Sequence, residues 1–278
     1  MNQLAHADSD YPLSDEVFAA FQRLTLEQTG IELADTKRAM ISTRFSRRLR
    51  TLGLQGFDEY LALVQTANHS ERVDFIDTVT TNLTYFFREL SHFDNLKHSV
   101  FPELNAIQNT QDKPIRIWSA GCSSGQEPYS IAMMALEAES QTKRPVRILC
   151  TDIHTKLIAQ TEQGIYSQSE LRGLDEKQLK KWFEPVDDQR LQVMAALRSM
   201  LLCRHMNLFA PWPIRPNVDI IFCRNTLIYF DIEHQTRVVR GFASLQSPGA
   251  RLFLGHSETI KQCADIYKRV SNTTYERI

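Results

Sequence analysis

The spacing of hydrophobic positions divides the chain into two regions. The first has apolar residues at helical spacing, as in Val17, Phe18 and Phe21, and contains no convincing strand. Ser14 precedes this run and can cap the first helix. Further helices are predicted at about Asp35–Leu52, Phe57–Gln65, Ser70–Thr80 and Glu89–Asn109. The first region, residues 1–111 with a linker, is therefore predicted to be an all-helical subdomain.

The second region, residues 112–278, alternates short apolar runs with amphipathic helices. Strands are predicted at Ile115–Ala120, Val146–Thr151, Val218–Arg224 and Ala250–Gly255, with one or two more between Tyr267 and Ile278. Helices are predicted at Pro128–Glu139, Thr155–Gly164 and Ile232–Leu245. Such alternation is typical of an α/β fold with a mostly parallel, doubly wound, Rossmann-like sheet.

One segment of the second region, about residues 173–206, fits neither pattern. It contains a charged helix at Asp175–Phe183 and a polar turn that begins at Pro185. Two alternating runs follow, at Arg190–Val193 and Met200–Cys203. Alternation over a few residues indicates half-buried strands. We interpret the segment as a small antiparallel β insertion.

Composition places the protein among ordinary globular chains. Its 278 residues are 42% hydrophobic and 23% charged, and the net charge of −1 argues against a general polyanion binder. The five cysteines form no CxxC pair, so we expect free thiols in a reducing compartment and no metal site. No signal peptide and no apolar run long enough for a membrane span are recognisable. A cytoplasmic location is expected.

A glycine-containing loop and an acid provide the first functional indication. Gly121-Cys-Ser-Ser-Gly125 joins the first predicted strand to a helix, and glycines there permit a tight turn close to a ligand. Asp152 closes the next strand, where an acid can accept hydrogen bonds from ribose hydroxyls. S-adenosylmethionine and NAD both remain compatible with this arrangement. A plain tight β–α connection is the alternative.

Three longer motifs carry a family resemblance. They are Thr80-Thr-Asn-Leu-Thr-Tyr-Phe-Phe-Arg-Glu-Leu90, Gly125-Gln-Glu-Pro-Tyr-Ser130 and Ile221-Phe-Cys-Arg-Asn-Thr-Leu-Ile-Tyr-Phe-Asp231. In this order they resemble the CheR family of chemotaxis receptor methyltransferases. Two further segments match the same family: the basic run that starts at Lys37 and Gly255-His-Ser-Glu-Thr259. The resemblance covers nearly the whole chain.

The resemblance implies an activity and a set of site residues. The family transfers a methyl group from S-adenosylmethionine to glutamate side chains on cytoplasmic helices of chemoreceptors, which leaves S-adenosylhomocysteine and γ-glutamyl methyl esters. The cofactor-binding residues that it implies are Asn82, Thr84, Arg88, Glu127, Asp152, Asn207, Leu208, Cys223, Arg224 and Asn225. Arg88 and Tyr229 are implied to be catalytic, facing the transferred methyl group and the incoming carboxylate.

The chemistry suits these residues. A glutamate side chain has an ordinary pKa near 4.3, so it is already an anionic nucleophile at neutral pH and needs no general base. Arg88 can hold a carboxylate by charge-assisted hydrogen bonds, and Tyr229 can position it with its hydroxyl group. The rings of Phe86 and Phe87 would suit a nearby sulfonium cation, although a core position is the more ordinary role for both.

A basic run indicates the macromolecular partner. Six basic residues and no acidic residue lie between Thr36 and Phe57. A solvated helix face is the usual explanation, and nucleic acid is a rival partner. The resemblance instead implies docking on the acidic, helical methylation region of a receptor, without nucleic acid and without membrane insertion. The docking residues that it implies are Lys37, Arg38, Arg44, Arg47 and Arg48.

Two other functions stay open on the sequence. The chain could methylate RNA or a small molecule, with Arg44, Arg47 and Arg48 contacting phosphate in the RNA case. It could also be a binding module that keeps the cofactor fold without turnover.

The β insertion generates one prediction. Some family members use it to bind a pentapeptide at the receptor C-terminus by adding a strand to its edge, and their insertion carries a glycine-containing turn. Here the corresponding turn, Glu184–Arg190, is shorter and lacks glycine. We therefore predict that a receptor C-terminal peptide does not bind. Micromolar binding in isothermal titration calorimetry would contradict this prediction.

Overall fold

The computed structural model describes residues 11–66, 69–107, 113–138 and 144–278. The chain forms two compact units, Met1–Thr81 and Asn82–Ile278. The division therefore lies well before the boundary expected at residue 111. The reason is that Phe93, Leu96 and Phe101 are buried in the core of the second unit, so their helices belong to it. The helix ends expected at Asn109 and Glu139 lie outside the described residues, as do the first ten residues of the chain.

The first unit is all-helical, as predicted. Its helices are α1 (Asp15–Thr29), α2 (Arg38–Leu52), α3 (Phe57–Thr66) and α4 (His69–Val79). A 3-10 turn, Asp35–Lys37, precedes α2. The predicted cap is confirmed, because Ser14 Oγ accepts a hydrogen bond from the Val17 N–H at 3.2 Å.

The core of the first unit is built from aromatic side chains. Phe21 of α1 is fully buried, and its ring centroid lies 5.0 Å from that of Phe45 and 5.4 Å from that of Phe75. Phe57 and Tyr60 of α3 complete the cluster with edge-to-face contacts to Phe21. One side chain of α1 thus joins α2, α3 and α4.

The second unit contains a seven-stranded sheet in the order β6-β2-β1-β7-β8-β10-β9. Its strands are β1 (Ile115–Ala120), β2 (Val146–Asp152), β6 (Leu201–His205), β7 (Ile220–Cys223), β8 (Arg251–Leu254), β9 (Tyr267–Ser271) and β10 (Thr274–Arg277). The first five strands of this order are parallel, and β10 is antiparallel to both of its neighbours. The α/β, Rossmann-like prediction is confirmed.

Helices connect and precede these strands. They are α5 (Ser91–Asn95), a π-helical turn (Leu96–Val100), α6 (Phe101–Ala106), α7 (Gln126–Glu137), α8 (Thr155–Gln163), α9 (Glu176–Trp182), α10 (Ala195–Arg198) and α11 (Ile232–Leu245). Because β2, β1 and β7 are parallel neighbours, the loops after these three strands meet at one edge of the sheet.

A separate three-stranded antiparallel sheet corrects the predicted insertion. It contains β3 (Ile165–Ser167), β4 (Phe183–Pro185) and β5 (Arg190–Val193), in the order β3-β5-β4. The insertion thus begins before residue 173, and the run at Met200–Cys203 is not part of it. All of that run except Met200 lies in β6, which pairs in parallel with β2 of the main sheet. Alternation predicts a strand but carries no information on its partner.

Within the described part of the chain, no helix has both the length and the apolar character needed to cross a bilayer.

The aromatic core generates a stability prediction. Phe21→Ala should destabilise the first unit by about 3–5 kcal/mol, because it removes a fully buried ring and leaves a cavity among four others. Native-state hydrogen exchange, read by mass spectrometry over α1–α4, measures this loss as faster exchange of the protected amides. Leu26→Ala, on the same helix but at a position that is 41% exposed, is the control. Equal protection in the two variants would contradict the assigned core.

Candidate active site

The glycine loop after β1 meets the acid at the end of β2. The Ser123 N–H donates to Asp152 Oδ2 at 2.8 Å, and the His154 N–H donates to Asp152 Oδ1 at 2.9 Å. Gly121 has a φ of 85° and Gly125 a φ of 95°, which only glycine adopts readily. These bonds fix the Asp152 carboxylate beside the loop.

Asp152 keeps capacity for a ligand. Burial raises the pKa of its carboxyl group, and the hydrogen bonds from His154 and Ser123 act in the opposite direction. Each carboxylate oxygen can accept more than one hydrogen bond. Asp152 can therefore accept ribose hydroxyls while it holds the loop.

Two other segments approach this loop. The Ser123 hydroxyl donates to the Asn82 carbonyl at 3.3 Å, which brings the segment with Asn82, Thr84 and Arg88 to the loop. From the other side, a Cβ atom at Gly121 would overlap Thr226 Oγ1 of the turn after β7. Glycine at 121 is thus required by the close approach of that turn.

A buried guanidinium group joins the three segments. Arg224 Nη1 lies 3.0 Å from Glu127 Oε2 on α7, and Arg224 Nη2 lies 3.1 Å from Glu89 Oε2. Nη2 also donates to the carbonyl oxygen of Arg88. The Arg224 side chain is only 2% exposed. One cation therefore links the end of β7, the start of α7 and the segment that carries Arg88.

The two carboxylates around Arg224 respond differently to it. Burial raises the pKa of Glu127, and the charge of Arg224 and a 2.7 Å hydrogen bond from Ser119 offset this rise only in part. Burial acts in the same direction on Glu89, but the charge and hydrogen bond of Arg224 outweigh it and hold the pKa of Glu89 below its ordinary value. Glu89 also accepts the His256 N–H, which lowers its pKa further, and Arg224 stabilises the ionised form of both groups.

The residue types around the loop fit S-adenosylmethionine. Arg224 Nε is a buried donor without a hydrogen-bond partner among the described residues, and a donor of this kind suits an anionic group of a ligand. Glu127 presents a carboxylate whose side chain is 11% exposed, and Asp152 presents a buried one next to the glycine loop. Together these groups match an amino-acid moiety and a ribose.

The backbone around Arg88 is strained. Phe87 has a φ of 54° and Glu89 a φ of 61°, and such left-handed conformations in residues other than glycine cost about 1–3 kcal/mol each. The Phe87 N–H donates to Ser130 Oγ at 2.9 Å, which holds one side of Arg88. The contacts of Arg224 with Glu89 and the Arg88 carbonyl hold the other side.

In the segment around Arg88, the two phenylalanine side chains are buried in the core, whereas the Arg88 side chain is only partly buried. Arg88 Nη1 donates to the Leu83 carbonyl at 2.8 Å, and the guanidinium lies 5.9 Å from the centroid of the Tyr85 ring. Phe86 is fully buried, with its ring 5.3 Å from that of Tyr166. Phe87 is also buried. Their burial supports a role of Phe86 and Phe87 in the hydrophobic core.

The remaining residues expected from the sequence lie at the end of β7 or in the segments that follow β6 and β7. Cys223 is fully buried, and burial raises the pKa of its thiol. Asn225 has a φ of 56°, and Tyr229 is half-buried. Asn207 accepts the Phe209 N–H at 2.9 Å, and the Leu208 carbonyl accepts Trp212 Nε1 at 3.1 Å.

Two acidic residues of this region were not predicted from the sequence. Glu89 pairs with Arg224, and Glu258 accepts backbone N–H groups of the turn after β7. Glu89 directly follows Arg88 in the quoted motif, and Glu258 lies in the matched segment at Gly255. Both residues could have been proposed as site residues from their positions within these matched segments.

The basic residues expected to dock a receptor divide into two groups. Arg44 donates to the carbonyls of Thr78 and Thr80 at the end of α4, and Arg48 pairs with Glu71 at 2.5 Å and Asp74 at 2.7 Å. The second group consists of Lys37, Arg38 and Arg47.

Of these three, Arg38 pairs with the exposed Asp15 at 2.6 Å. Lys37 and Arg47 are exposed on the surface of the first unit. The basic run between Thr36 and Phe57 thus includes at least two side chains with structural contacts inside the first unit, Arg44 and Arg48.

Comparisons with known proteins agree along nearly the whole chain. Residues 16–80 match the family description "CheR methyltransferase, all-alpha domain", and residues 82–276 match "CheR methyltransferase, SAM binding domain". A probable chemotaxis protein methyltransferase of Rhizobium etli is 38% identical over 252 residues, which cover 88% of this chain and 94% of the relative. The chemotaxis protein methyltransferase of Klebsiella aerogenes is 37% identical, with 96% and 91% of the two chains covered. That of Escherichia coli is 36% identical, with 95% and 91% covered.

His92 generates a prediction about pH. Its Nε2 lies 2.9 Å from Thr273 Oγ1 and its Nδ1 lies 3.5 Å from Glu89 Oε2. Burial, with a further contribution from the charge of Arg224, lowers the pKa of His92 from 6.5 to about 4. A histidine with a lowered folded-state pKa contributes stability above the unfolded-state pKa, and this contribution is lost as the pH falls.

The free energy of unfolding should therefore fall by about 2 kcal/mol more between pH 7 and pH 5 in the wild type than in His92→Gln, which removes the titrating group. Urea denaturation at both pH values measures the difference. Equal losses in the two proteins would contradict a buried, neutral His92.

Proposed function

Because the chain belongs to the CheR methyltransferase family, we propose that it methylates glutamate side chains on cytoplasmic helices of chemoreceptors, forming γ-glutamyl methyl esters. The observation that carries the proposal is the meeting of three segments around Arg224. Glu127 and the backbone carbonyl of Arg88 both bind Arg224, and Asp152 accepts the N–H of Ser123, whose hydroxyl binds the segment with Arg88. The enzyme class is that of a protein-glutamate O-methyltransferase.

The cofactor lies, in this proposal, at the edge of the sheet where β1, β2 and β7 end. Asp152 accepts hydrogen bonds from the ribose, and Glu127 and Arg224 Nε face the charged groups of the amino-acid moiety. When bound, S-adenosylmethionine supplies an electrophilic methyl group on a sulfonium centre. Asn82, Asn207 and the other residues that the resemblance implies contribute further contacts.

Catalysis follows from positioning. The substrate glutamate is already anionic at neutral pH, so the enzyme need only hold its oxygen in line with the methyl group. Arg88 binds the carboxylate through charge-assisted hydrogen bonds, and the Tyr229 hydroxyl orients it. The strained backbone at Phe87 and Glu89 fixes the direction in which Arg88 leaves the chain.

Exposed apolar residues beside the site favour a protein substrate over a small molecule. Leu83 is 77% exposed and Leu90 is 56% exposed, and both lie on the segment with Arg88. Ile228, next to Tyr229, is 48% exposed. Exposed apolar surface close to a site is typical of contact with another protein.

The rival functions make different predictions for one assay. Tritiated S-adenosylmethionine is incubated with the protein and with receptor-containing membranes or RNA. Base-labile label on the receptor supports the proposal, because carboxyl methyl esters hydrolyse in base. Label on RNA supports the second function, and no label on any acceptor supports a non-catalytic binding module.

Arg88 provides the mutational test of the catalytic assignment. Arg88→Ala should abolish transfer to the receptor, because the substrate carboxylate loses its cationic partner. Arg172→Ala is the matched control, since the Arg172 guanidinium also lies over the Tyr85 ring, 5.6 Å from its centroid. Transfer at the wild-type rate by Arg88→Ala would remove this residue from the catalytic machinery.

The basic run between Thr36 and Phe57 provides a second mutational prediction. We propose that Lys37 and Arg47 dock the receptor, whereas Arg44 and Arg48 stabilise the contact between α2 and α4. Arg47→Ala should raise the KM for the receptor and weaken its salt dependence, with the free energy of unfolding changed by less than about 0.5 kcal/mol.

Arg48→Ala should instead destabilise the first unit, because Glu71 and Asp74 lose their shared partner. Initial rates at several ionic strengths and urea denaturation measure the two effects. A destabilised Arg47→Ala with an unchanged KM would contradict the division of roles.

A further inference from the structure

Glu258 is a buried carboxylate whose oxygens accept hydrogen bonds from backbone N–H groups. The residue follows β8 in the chain and is 5% exposed. Oε2 accepts the Gly255 N–H at 2.6 Å and the Asn225 N–H at 2.9 Å, and Oε1 accepts the Ile228 N–H at 3.2 Å. A single side chain thus joins the loop after β8 to the turn after β7.

The turn held in this way is the segment Arg224–Tyr229, which carries predicted cofactor and catalytic residues. Asn225 adopts a left-handed conformation with a φ of 56°, and Leu227–Tyr229 form a 3-10 turn. Within the turn the Tyr229 N–H donates to the Thr226 carbonyl at 3.3 Å and the Phe230 N–H donates to the Leu227 carbonyl at 3.0 Å. The N–H groups of Asn225 and Ile228 instead donate to Glu258. The Glu258 carboxylate supplies acceptors for donors near both ends of the turn, at Asn225 and Ile228.

Gly255 makes this arrangement possible. A Cβ atom at this position would lie 2.5 Å from Asn225 Nδ2 and 2.9 Å from the Asn225 backbone nitrogen. It would also lie 2.9 Å from Glu258 Oε2. The absence of a side chain therefore lets the turn, the loop and the carboxylate meet.

We propose that Glu258 is a positioning residue, which fixes the turn Arg224–Tyr229 through its backbone and so places Asn225 for the cofactor and Tyr229 for the substrate. The part that concerns Tyr229 rests on the proposed function. The part that concerns Asn225 requires only that the chain binds S-adenosylmethionine or its product. The two parts have separate measurements.

Glu258→Gln is the appropriate variant, because it keeps the shape of the side chain and replaces one acceptor oxygen by an NH2 group that cannot accept an N–H. Glu170→Gln is the matched control. Glu170 accepts the Ser167 N–H at 2.9 Å, the Ser167 hydroxyl at 2.6 Å and Gln160 Nε2 at 2.8 Å, so the same substitution removes comparable hydrogen bonds elsewhere in the second unit.

Three measurements are made on the full chain. Calorimetry gives the affinity for S-adenosylhomocysteine, and methyl transfer to receptor membranes gives kcat and KM. Selective ¹⁵N labelling of glycine, asparagine and isoleucine gives the amide resonances of Gly255, Asn225 and Ile228. Amide protons that are bound to a carboxylate resonate downfield, so they report whether the anchor is intact.

Glu258→Gln should weaken S-adenosylhomocysteine binding about tenfold and lower kcat about tenfold or more, because hydrogen bonds to a charged group are lost at the turn. The three amide resonances should move upfield. Glu170→Gln should keep both constants within about twofold of wild type, although it loses a similar number of hydrogen bonds.

Wild-type affinity and kcat in folded Glu258→Gln would overturn the proposal, and so would equal losses in both variants. If Glu258→Gln does not fold, Glu258→Asp replaces it, because its carboxylate is one methylene too short to keep all three bonds. Wild-type affinity and kcat in Glu258→Asp would likewise overturn the proposal. If the wild type transfers no methyl to receptors, the proposed function fails, while the affinity and the amide resonances still test Glu258.

Discussion

The pairing of Arg224 with Glu89 and Glu127 is the interaction on which the arrangement of the site depends. A buried guanidinium group is tolerated only when its charge is balanced, and here two carboxylates from distant parts of the chain supply the balance. The same group binds the Arg88 carbonyl. Removing the guanidinium group would leave two carboxylates without their shared cation, so the end of β7, the start of α7 and the strained segment at Arg88 are constrained together.

Much of the fold could be predicted from the sequence, because buried strands and amphipathic helices have different hydrophobic periods. The boundary between the units could not, because the helices at Ser91–Ala106 have the same period as those of the first unit and differ only in which core they join. The prediction that residues of β6 belong to the small insertion was wrong for a related reason. Parallel pairing with β2 joins residues about fifty positions apart, and local alternation does not record it.

The candidate site was predicted unevenly. The glycine loop and Asp152 followed from general rules for parallel sheets, and the structure places them in contact. Glu127 and Arg224 were expected as cofactor residues through the resemblance, and their mutual ion pair was not foreseen. The role of Glu258 could not be predicted from residue spacing, because its partners are backbone N–H groups, which every residue except proline offers. Charge composition likewise could not separate Arg48, with its two acidic partners on α4, from the exposed Arg47.

Arg224 holds the segments of the site together before any ligand binds, and hydrogen exchange tests this most directly. Arg224→Lys keeps the positive charge but offers a single ammonium group in place of a fork that reaches two carboxylates and a carbonyl. Without cofactor, the amides of residues 82–90 should exchange markedly faster in Arg224→Lys than in the wild type, while those of α11 stay protected. Unchanged exchange in residues 82–90 would show that the Arg88 segment is held by other contacts and would contradict the account.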